Sequence, residues 1–65
     1  MYVYGTRLRP PSPGSVPLSG LKFVWYGEFY HGGRLYWGKV TYDRELTEEE
    51  TMGYELDFIE EKEEN

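Results

Sequence analysis

The chain has 65 residues, no cysteine and a formal net charge of −5. This length fits one small domain, and the lack of cysteine excludes disulfides and thiolate-bound metals as its supports. The acidic total disfavours nonspecific binding to nucleic acid or to anionic membranes. Aromatic residues make up 18% of the chain, and we expect them to supply most of the core.

The first predicted element is a short strand that begins at Tyr2 and bends near Gly5. Four prolines between positions 10 and 17 then exclude a helix or a central strand and predict an extended loop. Arg7, Pro10 and Pro13 also fit the loose R-x-x-P-x-x-P pattern of polyproline ligands. A rigid structural loop explains the same residues more simply, and we favour it.

Two segments rich in aromatic and β-branched residues follow, and Gly32 and Gly33 between them predict a hairpin with a two-residue turn. Counting outward from this turn gives one apolar face, which we expect to be buried. Its cross-strand pairs are Phe29–Tyr36, Gly27–Gly38, Trp25–Val40 and Phe23–Tyr42. The paired glycines predict a notch that receives neighbouring aromatic rings or a helix.

A helix is predicted to begin after Thr47, because Thr47 and Glu50 form a T-x-x-E capping box. Gly53 leaves the end of the helix open. Either one helix continues to about Phe58, or a short helix ends near Gly53 and a last strand follows.

Together these elements predict an α+β fold with a small antiparallel β-sheet of about three strands. The aromatic hairpin is central to this sheet, and the C-terminal helix packs on one face of it. We expect a single domain over residues 1–59 and an acidic, disordered tail over residues 60–65. No apolar run approaches the roughly 20 residues that span a bilayer, so we expect a cytoplasmic protein.

No set of residues assembles a reaction centre. His31 is the only histidine and lies at the predicted turn, while Ser12, Ser15 and Ser19 lie in or beside the proline-rich loop without a positioned base. One histidine without cysteine does not make a zinc site, and the acidic run lacks the spacing of a calcium loop. We therefore expect a non-enzymatic protein with no cofactor and no metal.

Charge is segregated along the chain. Residues 1–42 carry five basic residues against one acidic residue, a net +4, whereas residues 43–65 carry eleven acidic residues against two basic ones, a net −9. Rows of carboxylates on a compact scaffold can imitate the phosphates of DNA and bind a nucleic-acid-handling protein. The candidate acidic face consists of Glu48, Glu49, Glu55 and Asp57. A solvated helix face with a solubilising tail is the simpler interpretation.

The alternative is a nucleic-acid-binding module in which basic residues contact phosphates and aromatic rings stack on bases. Its candidate residues are Arg7, Arg9, Lys22, Arg34 and Lys39, with Tyr26 and Trp37. A competing explanation is that these basic residues neutralise acidic residues within the same molecule. A structural or dimerising domain is the third possibility.

Several short segments resemble one family of small proteins from Firmicutes bacteria, their phages and conjugative elements. The segments are Met1–Gly5, Arg7–Pro10, Ser12–Gly14, Tyr42–Arg44, Leu46–Glu50 and Tyr54–Asp57. Members of this family are described as related to the phage defence-against-restriction protein. The resemblance implies a mobile-element origin, an intracellular setting, a counter-defence role and a host protein as partner. It carries no catalytic motif, so it assigns no functional residue.

Overall fold

The structure is a computed structural model that describes residues 1–8 and 16–63. It contains, in chain order, β1 (Tyr2–Thr6), β2 (Leu21–His31), β3 (Arg34–Tyr42), α1 (Glu48–Gly53) and β4 (Leu56–Glu61). The strands form one antiparallel sheet of order β2-β3-β1-β4. Arg9 and most of the predicted proline-rich loop lie outside the described residues. Within the described ranges, no helix has the length and apolar character needed to cross a membrane.

The C-terminal part of the chain forms a short helix followed by a strand, which confirms the second of the two predicted alternatives. α1 has only six residues and buries none of them; Met52 is 68% exposed. It lies beside β4 and buries no side chain, so the expected packing of the helix on one face of the sheet is wrong. Glu55 turns the chain into β4 with a positive φ of 54°.

β4 gives the sheet a fourth strand where about three were expected. It pairs with β1, and its last residues, Glu60 and Glu61, pair with Val3 and Tyr2. These two glutamates were assigned to a disordered tail, but the structure places them within the sheet. The strand begins at Leu56, which is 2% exposed, so burial of this side chain favours an extended segment over a longer helix.

The hairpin turn is confirmed, and its register is correct only near the turn. Gly32 and Gly33 both have positive φ, as a tight hairpin turn requires. Phe29 pairs with Tyr36 as predicted. Beyond this pair, β2 contains an irregularity between Tyr26 and Phe29 and a second one between Leu21 and Phe23.

Each irregularity adds one residue to β2, and this changes which residues face one another. Gly38 pairs with Tyr26, Lys39 with Trp25, and Thr41 with Phe23. The predicted pairs Gly27–Gly38, Trp25–Val40 and Phe23–Tyr42 are therefore wrong. As a consequence, Trp25 is 50% exposed and Phe23 is 66% exposed, although both were expected in the core.

The core lies on the side of the sheet opposite Phe23 and Trp25. The segments before and after the hairpin cover it. Its buried members are Tyr4, Val16, Val40, Tyr42, Leu46 and Leu56. The Tyr42 hydroxyl donates to the Pro17 carbonyl oxygen at 2.6 Å, and the Leu46 N–H donates to the Tyr4 hydroxyl oxygen at 2.9 Å. Burial raises the pKa of Tyr42 to about 12 and also raises the pKa of Tyr4. The two phenols thus stay protonated and hold both flanking segments onto the sheet.

Candidate interaction surfaces

The start of α1 is fixed by the predicted capping box. The Glu50 N–H donates to the Thr47 side-chain oxygen at 3.1 Å, and the Thr47 N–H donates to a Glu50 carboxylate oxygen at 3.0 Å. Arg44 donates two further hydrogen bonds of 2.8 Å to this carboxylate. The guanidinium of Arg44, followed by the Thr47 N–H, lowers the pKa of Glu50 to about 2. Glu50 is therefore a structural group that joins the helix to the preceding loop.

Glu48 and Glu49 lie beside this cap and are exposed. Glu55 lies in the turn after the helix, and its carbonyl oxygen accepts hydrogen bonds from the backbone N–H and the Nε of Arg7. Among residues 1–8 and 16–63, no basic group lies within 4.0 Å of the carboxylates of these three glutamates. Three members of the predicted acidic face thus keep their negative charge available.

Asp57, the fourth predicted member of the acidic face, lies in β4 and is engaged internally. Its carboxylate accepts a hydrogen bond of 2.7 Å from the Tyr36 hydroxyl. It also lies 3.7 Å from Arg7 Nε and 4.0 Å from Arg34 Nε. Burial, followed by the hydrogen bond to this carboxylate, raises the pKa of Tyr36. The carboxylate of Asp57 is therefore not available as part of an acidic face.

Most basic residues of the predicted nucleic-acid face are also paired with acids. Arg7 and Arg34 share Asp57, and Lys22 lies 3.3 Å from Asp43. Arg9 lies outside the described residues. Within the described part of the chain, Lys39 differs from the other lysines and arginines because no carboxylate lies within 4.0 Å of its ammonium group.

The two predicted aromatic members of the nucleic-acid face do not lie in the same environment. Tyr26 is 56% exposed on β2, whereas Trp37 on β3 is only partly exposed. Arg7, Arg34 and Lys22 have ion pairs, so among the described members of this face Lys39 alone has no carboxylate within 4.0 Å. Its ammonium group lies 5.9 Å from the centroid of the half-exposed Trp25 ring.

A row of aromatic rings crosses the hairpin; the sequence analysis placed Phe29, Tyr36 and Trp25 on one face but did not predict that Trp25 would be exposed. The rings of Phe29 and Tyr36 stack with centroids 5.3 Å apart, and Trp25 lies 6.2 Å from Phe29. The Lys39 ammonium lies 4.7 Å from the Phe29 centroid, which is within cation–π range. A Cβ atom on Gly27 would lie 2.5 Å from the Trp25 ring, so this glycine receives an aromatic neighbour as predicted.

A groove of about 430 Å³ opens beside this row. Its apolar walls are Val3, Phe23 and Trp25, and Lys39, Thr41 and Lys62 add polar groups. The alternation of Phe23 and Trp25 was visible in the sequence, but the predicted register placed both rings in the core. The exposed rings make this part of β2 a second candidate surface, distinct from the acidic residues at α1.

The described residues contain no group of three or more His, Asp or Glu side chains that is arranged to hold a metal ion. His31 is exposed at the hairpin turn. The arrangement of charge and exposed rings is typical of surfaces that bind macromolecules.

Comparison with known proteins connects the chain to one family. No curated protein and no solved structure matches it. The model of the family described as defence against restriction A C-terminal matches residues 1–61, nearly the whole sequence. This match confirms the resemblance seen in the short segments, and the chain therefore belongs to the defence against restriction A C-terminal family.

Proposed function

We propose that this chain is a non-enzymatic counter-defence module that binds a nucleic-acid-handling protein of the host through an acidic surface. The family match supports a role related to defence against restriction. The acidic surface consists of Glu48, Glu49 and Glu55. Inside a host cell, it would compete with DNA for a positively charged channel on the partner.

One observation carries this proposal. The internal ion pairs involve five of the six described lysines and arginines, and among residues 1–8 and 16–63 no cation lies within 4.0 Å of the carboxylates of Glu48, Glu49 and Glu55. Most of the described basic groups are therefore paired within the fold, whereas these three carboxylates remain on the surface. A partner with a basic channel fits this distribution better than a nucleic acid does.

A charge-reversal series tests the acidic surface. The partner is first recovered by pull-down from the native host and identified by mass spectrometry. We expect Glu48→Lys combined with Glu49→Lys to weaken its binding at least about tenfold, because two attractive contacts become repulsive. Adding Glu55→Lys should weaken binding further. Raising the salt concentration should weaken wild-type binding in the same direction.

The matched control is Glu61→Lys combined with Glu63→Lys, which changes net charge equally at the other end of β4. Both residues are exposed. If the control weakens binding as much as the Glu48 and Glu49 pair does, the effect comes from net charge, and the proposed surface is wrong. Thermal unfolding of each variant shows whether a lost interaction reflects a lost fold.

The nucleic-acid alternative has its own direct measurement. A salt-dependent mobility shift of single-stranded DNA or RNA at micromolar protein would favour it over the acidic surface. Absence of a shift at low salt would remove it.

A further inference from the structure

β2 is an edge strand with an open outer side. It stands at one end of the order β2-β3-β1-β4, and within the described ranges only β3 pairs with it. It is also the longest strand, with 11 residues. The outer side of an edge strand offers backbone N–H and C=O groups to another strand.

The middle of β2, between its two irregularities, carries no charged side chain. Phe23, Val24, Trp25 and Tyr26 are uncharged and between 40% and 66% exposed. They form a regular stretch between the two irregularities of the strand, so they alternate between the two faces of the sheet. Edges of monomeric sheets more often carry a charge in this position.

The charges that flank this stretch are opposite in sign at its two ends, so they complement the charges of a second, antiparallel copy. Lys22 lies three residues before Trp25, and Glu28 lies three residues after it. Both residues lie in the irregular parts of β2, just outside the regular stretch. If two copies of β2 pair antiparallel about Trp25, the end of one stretch that carries Lys22 lies beside the end of the other that carries Glu28. A two-fold axis makes both ends of the contact equivalent.

We propose that two copies of this chain associate through β2, antiparallel about a two-fold axis at Trp25, and join their sheets. The contact places Phe23 and Trp25 of the two copies side by side on one face of the joined sheet, and Tyr26 of the two copies on the other face. Lys22 already lies 3.3 Å from Asp43, but an ammonium group has three donors and can also reach a second carboxylate.

The other edge of the sheet is a poorer partner for β2. β4 ends in Glu60 and Glu61, and two exposed carboxylates discourage strand addition. A contact between β2 of one copy and β4 of the next would also leave two open edges and continue into a filament. The two-fold contact closes after two copies.

The test uses sedimentation equilibrium of the 65-residue chain over a concentration series. We expect wild type to dimerise reversibly. Lys22→Glu brings two carboxylates together at each end of the contact, and Glu28→Lys brings two ammonium groups together. Each single variant should raise the dimer Kd about tenfold.

An equimolar mixture of the two single variants distinguishes the proposed register from a general charge effect. In the mixed dimer, every end again joins opposite charges, so association should return to about the wild-type Kd. Asp43→Asn is the control, because it removes the internal partner of Lys22 without changing the contact, and it should leave the Kd unchanged.

Three results would overturn the proposal: a wild-type chain that is monomeric at every concentration, a mixture that associates no better than the single variants, or growth beyond two copies. The inference does not rest on the acidic surface at α1. Variants of Glu48 and Glu49 are expected to leave the dimer Kd unchanged, so the two proposals fail separately.

Discussion

Replacing Tyr42 with phenylalanine removes one fully buried hydroxyl group and tests how the core is held together. The Tyr42 hydroxyl donates to the Pro17 carbonyl oxygen at 2.6 Å, and the residue is 0% exposed. The substitution leaves this carbonyl without its donor, which costs about 1–3 kcal/mol. A domain of this size has a total stability of only about 3–10 kcal/mol, so the change is readily measured at pH 7.

The same substitution should alter how stability depends on pH. Burial raises the pKa of Tyr42 from 10.0 to about 12, so the folded state keeps its proton while the unfolded state loses it above pH 10. The free energy of unfolding therefore falls as pH rises from about 10 to about 12, by about 1.4 kcal/mol per pH unit. Tyr42→Phe lacks this loss, and the cost of the substitution should shrink or vanish near pH 12.

Urea titrations of both proteins between pH 7 and about pH 12 measure this difference, with tryptophan fluorescence as the signal. Tyr4 and Tyr36 also have raised pKa values, but both are present in both proteins, so most of their contribution cancels in the comparison. A cost of Tyr42→Phe that stays constant across this range would refute the argument, because it would show that the proton on Tyr42 is not linked to folding.

Three further substitutions probe other contacts. Gly5→Ala places a Cβ atom 2.9 Å from the Tyr36 ring and should lower the free energy of unfolding in urea by about 1–3 kcal/mol. Thr47→Ala removes the helix cap and should cost about 1 kcal/mol in the same assay. Hydrogen bonds from Arg44 lower the pKa of Glu50, so wild type loses stability as pH falls from about 4.5 to about 2. Glu50→Gln lacks this carboxylate, and its Tm should therefore fall less over the same pH range.

Matched comparisons decide each of these predictions. Thr47→Ser keeps the capping oxygen and should stay close to wild type, so an equal loss in Ser and Ala variants would contradict the role of the cap. Glu49→Gln removes a carboxylate that has no ion pair within the described residues, and it should leave the acid limb nearly unchanged. A Gly5→Ala variant as stable as wild type would show that the Tyr36 ring moves aside without cost.

Local sequence patterns predicted the elements that depend on a few adjacent residues. The turn at Gly32 and Gly33 and the cap at Thr47 were both correct, because positive φ and side-chain capping are properties of neighbouring residues. The short helix and following strand were one of two open alternatives. The choice between them depended on the burial of Leu56 against the rest of the sheet. Residues adjacent in sequence do not reveal this burial.

The register of the hairpin was the main error, and its cause is physical. Counting from the turn assumes that both strands advance together, but β2 gains one residue near Gly27 and another near Lys22. The sequence analysis interpreted Gly27 as a packing notch, but a glycine within a strand also permits an irregularity. One inserted residue reverses the faces of the residues beyond it, so it moved Phe23 and Trp25 from the expected core to the surface.

The core hydrogen bonds and the engagement of Asp57 were also beyond sequence reasoning. Tyr42 reaches Pro17 across 25 positions, and Tyr4 accepts from Leu46 across 42. Asp57 was a candidate member of the acidic face, yet in β4 it pairs with Gly5 and accepts a hydrogen bond from Tyr36. These contacts depend on the strand order, which places β4 beside β1.

The strand order also explains how a chain with segregated charge can offer two different surfaces. β4 comes from the acidic third of the sequence, and its insertion beside β1 brings Asp57 to the arginines of the basic part. This neutralises charge in the middle of the sheet. The carboxylates of Glu48, Glu49 and Glu55 lie at α1 and in the turn after it, and α1 lies beside β4 at one edge of the sheet. The exposed rings lie on β2 at the other edge. A partner held at α1 would therefore leave β2 free to bind a second copy.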